Sequence, residues 1–146
     1  MDVRECLEKG LLKRDAPSME KSRRSLEVAQ KKVTKARELL KANILDMAEV
    51  SIYSSMFHAS RALLFRDGFK ERSHYAIYVY LKEKYADKLD LRFLNELNIL
   101  RLNRHEIFYG FDEPEVDEGA LSKTIVLAEE FIRIIQQLVA AKSAKR

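Results

Sequence analysis

The sequence predicts an all-α protein, an antiparallel up-and-down bundle of four or five helices. Composition is the first reason: 47% of the 146 residues are hydrophobic and 34% charged, with 4 Gly, 2 Pro and no Trp. That balance favours long helices over the turn-rich sequence of a sandwich or barrel, so sheets are not expected. The second reason is period. Apolar residues recur in steps of three and four along most of the chain, as in helices that bury one face. The third is connection length: no Gly/Ser-rich or Pro-rich linker divides the chain, nothing repeats, and short loops make successive helices antiparallel neighbours. One domain over 1–146 follows, with a short segment 1–17 leading into a bundle over 18–144.

Residues 2–12 form a short amphipathic segment, after which Asp15, Pro17 and Ser18 supply stop and start signals. A long helix then runs to about residue 43, with Leu26, Ala29, Val33, Ala36 and Leu40 on one stripe and Lys21, Arg23, Arg24, Lys31, Lys32, Lys35 and Lys41 on the other faces. A second helix over 44–67 carries Ala48, Ile52, Ser55, Ala59 and Ala62 at helical spacing, small enough for close helix approach, and Gly68 caps its end. Ser73 caps a third helix reaching residue 85. Its segment HYAIYVYLKEKY imitates a strand but has no partner strand, so helix is the consistent reading. A fourth helix starts near Asp90, uses Phe93, Leu94, Leu97, Leu100 and Ile107 as its core stripe, and stops at Gly110. After the acidic loop FDEPEVDE, Asp117 caps a last helix with the stripe Leu121, Ile125, Ala128, Ile132, Ile135 and Val139. Lys142, Lys145 and Arg146 suit the negative end of its dipole.

A net charge of +4 is compatible with an anionic partner but is ordinary for a protein rich in helix-surface lysines. The basic first long helix can track phosphates or simply stay solvated, and Tyr75, Tyr78, Tyr80 and Tyr85 on the third helix can stack bases or pack in a core or interface. A single cysteine, Cys6, allows no internal disulfide framework and offers no metal spacing, which favours a reducing compartment and a cytoplasmic location. The first residues lack the apolar core of a signal peptide, and no run approaches the ~18 apolar residues of a membrane span. Three scattered histidines without paired carboxylates predict no metal centre. No phosphate-cradling Gly-rich loop or nucleophile elbow predicts a cofactor, so none is expected.

The stretch NRHEIFYGF, residues 103–111, crowds a cation, an imidazole and a phenol at the end of the fourth helix, a combination suited to phosphate chemistry. At roughly 100° per residue, Arg104 and Tyr109 stand about 140° apart on an ideal helix. They line one cleft only if the helix frays near Gly110 or a second subunit completes the site. Arg104 with Phe108, and Arg101 with His105, are the pairs that share a face. Metal-independent cleavage of RNA needs a base for the 2′-hydroxyl, a cation for the pentavalent phosphate and an acid for the leaving oxygen. Arg104 fits the cationic role. Histidine titrates near ~6.5 and can serve as base or acid, whereas a phenol near ~10 mainly donates a hydrogen bond, so Tyr109 is a poor base. The structural alternative pairs Arg104 with Glu106 or Asp112 while Tyr109 closes the bundle end. His58, among Phe57, Ala59 and Arg61, either points toward the same cleft or bonds a core carbonyl; His74, beside Ser73, is expected at the surface near a helix cap.

The chain resembles the HEPN superfamily over nearly its whole length, on GLLKRDAPSMEKSRRSLEVA at residues 10–29, SIYSSMFHASRALLFRDGFKERSH at 51–74 and RLNRHEIFYGF at 101–111. It looks most like a small stand-alone branch from archaea and bacteria. The resemblance implies a bundle of four or five helices that dimerises so that two copies of a motif face one cleft. It also implies metal-independent ribonuclease activity where that motif is intact: an arginine, a polar residue, three variable residues and a histidine. Arg104 matches the arginine and His105 the polar position, but Tyr109 stands where the catalytic histidine belongs. The resemblance further implies a nucleotidyltransferase partner, in a toxin–antitoxin-like or nucleotide-modifying module. The leading expectation is a homodimer that binds RNA or nucleotides through Arg104, Tyr109, His105, Arg101 and His58 with a degenerate nuclease motif. The alternatives are an active ribonuclease using Arg104 and His105, and a non-catalytic interaction subunit.

Overall fold

Helix boundaries follow from side chains that satisfy the backbone groups a helix end leaves open. The computed structural model describes residues 1–112 and 114–144, with the backbone alone described for 142–144. The described elements run α1 (Val3–Glu8), β1 (Leu12–Arg14), α2 (Met19–Lys41), α3 (Leu45–Asp67), β2 (Phe69–Glu71), α4 (His74–Lys84), α5 (Leu91–Tyr109) and α6 (Glu118–Ala144). The Ser18 hydroxyl accepts from Lys21 N, Ser73 from Tyr75 N, Asp90 from Arg92 N and Asp117 from Ala120 N, so the four expected caps all start helices. Lys142, Lys145 and Arg146, expected to complement the α6 dipole, have side chains outside the described residues.

The bundle is built around α3, which packs against α2, α4, α5 and α6. Its seam with α2 is lined by small residues: Ala29, Val33 and Ala36 from α2 and Ala48, Ser55, Ala59 and Ala62 from α3 are buried. Close approach brings hydroxyls of one helix onto carbonyls of the other. Ser22 Oγ donates to Ala62 O at 2.7 Å, Ser25 Oγ to His58 O at 2.6 Å and Ser51 Oγ to Lys32 O at 2.8 Å. Each bond spares a buried hydroxyl the ~1–3 kcal/mol cost of lacking a partner. The stripe of α6 is buried at every position from Leu121 to Val139. That of α5 is buried at Phe93, Leu94, Leu97 and Leu100, with Ile107 half-buried. The tyrosine-rich segment is helical, with Ala76, Ile77, Val79, Tyr80 and Leu81 inside.

A small sheet departs from the helical expectation. Helix α1 stops at Glu8, a turn through Gly10 at φ 71° redirects the chain, and β1 pairs antiparallel with β2, Leu12 opposite Glu71 and Arg14 opposite Phe69. Three-residue strands have no period to read in a sequence; this pair exists because the exit of α3 lies beside the entry to α2. Gly68 makes that exit. It adopts φ 91°, and a Cβ there would meet Asp15 O at 3.0 Å and Pro17 Cγ at 3.1 Å, so both conformation and space demand glycine.

Helix α5 packs chiefly on α3 and α4. Its outer face leaves Leu91, Ile99, Leu102 and Tyr109 exposed, and these fall within an arc of about 80°.

Candidate functional site

Two arginines one turn apart on α5, Arg101 and Arg104, project toward α3 and α4 rather than along the exposed apolar face. The Arg104 guanidinium lies 6.0 Å from the Tyr53 ring centroid on α3 and 5.4 Å from that of Phe108. Arg101 lies 5.2 Å from the Tyr75 ring of α4, its Nε and Nη2 donating to Asn98 Oδ1 at 3.1 and 3.0 Å. Among the described residues neither forms an ion pair with a carboxylate, so Glu106 and Asp112 do not neutralise Arg104. Aromatic faces orient both guanidiniums through cation–π attraction; the Arg104 fork, and the Arg101 N–H groups not given to Asn98, can meet an anion.

Beneath them is a pair that the sequence reading missed. Tyr53, 2% exposed, places its hydroxyl 2.7 Å from His74 Nδ1. The His74 ring stacks on Phe57 at 4.3 Å and on Tyr53 at 5.8 Å. His74 is half-buried, in place of the surface position expected beside the cap. Burial, then the positive charges of Arg104, Arg101 and Arg61, lower its pKa. Burial also pushes the Tyr53 phenol up to about 12, against the opposing pull of Arg104 and Arg101. Arg61 differs from its neighbours: Glu71 holds it at 2.5 Å, between the Phe57 and Phe65 rings at 5.5 and 4.9 Å. One signal in the sequence could have found this cluster, since Tyr53, Phe57 and Arg61 are spaced by four on α3 and so share a face.

The remaining expected residues are placed differently. Tyr109 is 71% exposed, its ring 5.1 Å from that of the exposed His105. Both are exposed on α5, and Tyr109 also meets the Phe108 ring at 6.3 Å, so it borders the aromatic contact of Arg104 without covering it. His58 is half-buried and lies with Lys21, Arg24, Arg61 and Phe65 in a shallow cavity of about 200 Å³ between α2 and α3. Burial first, then Arg61, Lys32 and His74, bring its pKa down to about 4, so it is a neutral imidazole near pH 7. Its carbonyl accepts from Ser25. Beside the site, Asn103 Nδ2 donates to Glu49 Oε1 at 2.9 Å, while Glu49 Oε2 is buried without a partner among the described residues. Burial and the nearby Glu49 charge raise the Glu96 carboxyl. Among the described residues no group of three or more metal-ligating side chains comes together, and no helix is long and apolar enough to cross a membrane.

A bundle of long helices with this order of elements corresponds to a known class. The sequence matches the HEPN domain family over residues 22–138, most of the 146-residue chain, and the chain belongs to that family. Membership accords with the all-helical architecture and points to an RNA-related or nucleotide-associated role. No curated protein matches the sequence.

Proposed function

We propose that this HEPN protein binds the phosphates of RNA or of a nucleotide through Arg101 and Arg104, as a homodimer, without appreciable cleavage. The observation that carries the reading is the state of the two arginines: half-buried, oriented by Tyr75 and Tyr53, and paired with no carboxylate among the described residues. Guanidinium forks held flat in this way match phosphate oxygens bidentately. Support for a dimer comes from the exposed Leu91, Ile99, Leu102 and Tyr109 on α5; a second copy laid on this face removes apolar surface from water and brings Tyr109 and His105 of one subunit toward the other. Support for weak or absent cleavage comes from Tyr109, a phenol at the position where active relatives carry histidine. A nucleotidyltransferase partner, in a toxin–antitoxin-like module, rests on the family resemblance.

Purified protein incubated with single-stranded RNA and a chelator tests the reading. The expected result is binding that weakens as salt rises, because phosphate contacts release counterions, with the RNA left intact. Robust cleavage abolished by Arg104→Ala overturns it and favours an active ribonuclease. Loss of cleavage in His105→Ala then assigns His105 as the working imidazole.

A further inference from the structure

We propose that His74 is a third donor of the Arg101–Arg104 phosphate site, its Nε2–H presented to a phosphate oxygen because the Tyr53 hydroxyl holds Nδ1. The inference rests on the phosphate-binding reading above and adds to it a residue outside the family motif and a fixed tautomer. The hydroxyl of Tyr53, a residue 2% exposed, needs an acceptor, and the one partner it has among the described residues is His74 Nδ1, at 2.7 Å. The phenol therefore donates and Nδ1 accepts. In a neutral imidazole the proton then sits on Nε2. That nitrogen has no hydrogen-bond partner among the described residues, although His74 is only half-buried and solvent or a ligand reaches it.

Position supports the same role. Arg104 covers the Tyr53 ring that holds His74, and burial first, then the charges of Arg104, Arg101 and Arg61, disfavour protonation of the imidazole. Glu71 offsets only Arg61. A neutral N–H donor suits a place already crowded with cations: it adds a directed hydrogen bond without further repulsion, and the Phe57 face fixes the ring plane at 4.3 Å. The tautomer also separates binding from cleavage. With its proton on Nε2, His74 offers a substrate no lone pair, so it cannot accept the 2′-hydroxyl proton while Tyr53 holds it.

The ligand chemistry is a phosphate, the diester of an RNA strand or the monoester of a nucleotide, and two probes distinguish these sources. Adenosine 5′-monophosphate carries only a monoester, and an oligouridylate without terminal phosphates only diesters. Titration of each into the full chain, read by fluorescence or NMR shifts, is expected to show binding of at least one, weakened about tenfold by His74→Ala. His74→Gln, whose amide can reach the Nε2 position, is expected to restore most of the affinity; His74→Asn, which reaches only Nδ1, is not. Long-range nitrogen–proton NMR spectra should show the Nε2–H tautomer in the wild type and a mixture in Tyr53→Phe, with thermal melts confirming that each variant is folded. Undiminished binding in folded His74→Ala, equal affinities of the Gln and Asn variants, or an Nδ1–H tautomer in the wild type overturns this inference while the Arg104 reading stands. Failure of both probes and of RNA to bind the wild type overturns the two together.

Discussion

Two clusters of arginine and tyrosine in this protein have nearly the same composition and opposite electrostatic states. At the C-terminal end of α3, Arg66 is 5% exposed and saturated: it pairs with Asp67 at 3.0 Å and donates to Leu138 O at 3.0 Å and to the Tyr85 hydroxyl at 2.5 Å. Tyr80 and Tyr85 donate to Asp67 Oδ2 at 2.7 and 2.5 Å, which joins α3, α4 and α6 in one network. Burial alone would raise the Asp67 carboxyl, but the two phenols and Arg66 outweigh it and hold the group below its ordinary range. Across the molecule, Arg101 and Arg104 meet tyrosine rings and, among the described residues, no carboxylate. A buried guanidinium without compensation costs too much to persist, so Arg66 is fully matched; half-buried guanidiniums remain hydrated and can wait for an anion from outside. One cluster holds the fold together; the other carries the proposed phosphate site.

The largest test of that contrast is Asp67→Ala. It strands Arg66 inside the bundle and should cost about 3–5 kcal/mol in denaturant unfolding, with RNA affinity unchanged in protein that remains folded. The sign with pH follows from the same carboxylate. Its folded pKa lies below the unfolded value, so its contribution is present above about pH 4 and is lost as pH falls through the folded pKa. Replacing Asp67 with Asn should flatten the acid limb of stability against pH.

Arg104→Ala should behave in the opposite way. Removal of an arginine with no ion pair among the described residues should cost about 1 kcal/mol of stability, the scale of its contacts with Tyr53 and Phe108, while phosphate affinity falls about tenfold and the salt slope shallows by about one. Equal destabilisation by Arg104→Ala and Asp67→Ala, read from thermal melts, would erase the distinction between the clusters. The smallest effect should come from Arg37→Ala. Its guanidinium pairs with Glu129 through Nε at 2.9 Å, but on an exposed surface where such a pair contributes roughly 0.2–1 kcal/mol and is weakened by salt.

Local chemistry made much of the fold readable. Ser18, Ser73, Asp90 and Asp117 carry side-chain oxygens that cap helices wherever the rest of the chain goes, and Gly68 tolerates the left-handed turn that ends α3. The α6 stripe is periodic enough to reveal its buried face. The β1–β2 pair was not readable, since three residues on each side show no alternation, nor was the seat of His74. Beside a capping serine it reads as a surface residue, and its partner Tyr53 lies on another helix.

The sequence by itself determined the helices, their caps, the one-turn spacing of Arg101 and Arg104 and the phenol at Tyr109, because each depends on residues within a turn or two. The tertiary structure decided which arginines are neutralised. Arg66 meets Leu138 and Tyr85, and Arg104 meets Tyr53, across wide sequence separations. Helical period specifies which face is buried but not which helix covers it. That choice, made by the close packing of α3 against its neighbours, turns one arginine into a structural pin and leaves another over Tyr53, at the proposed phosphate site.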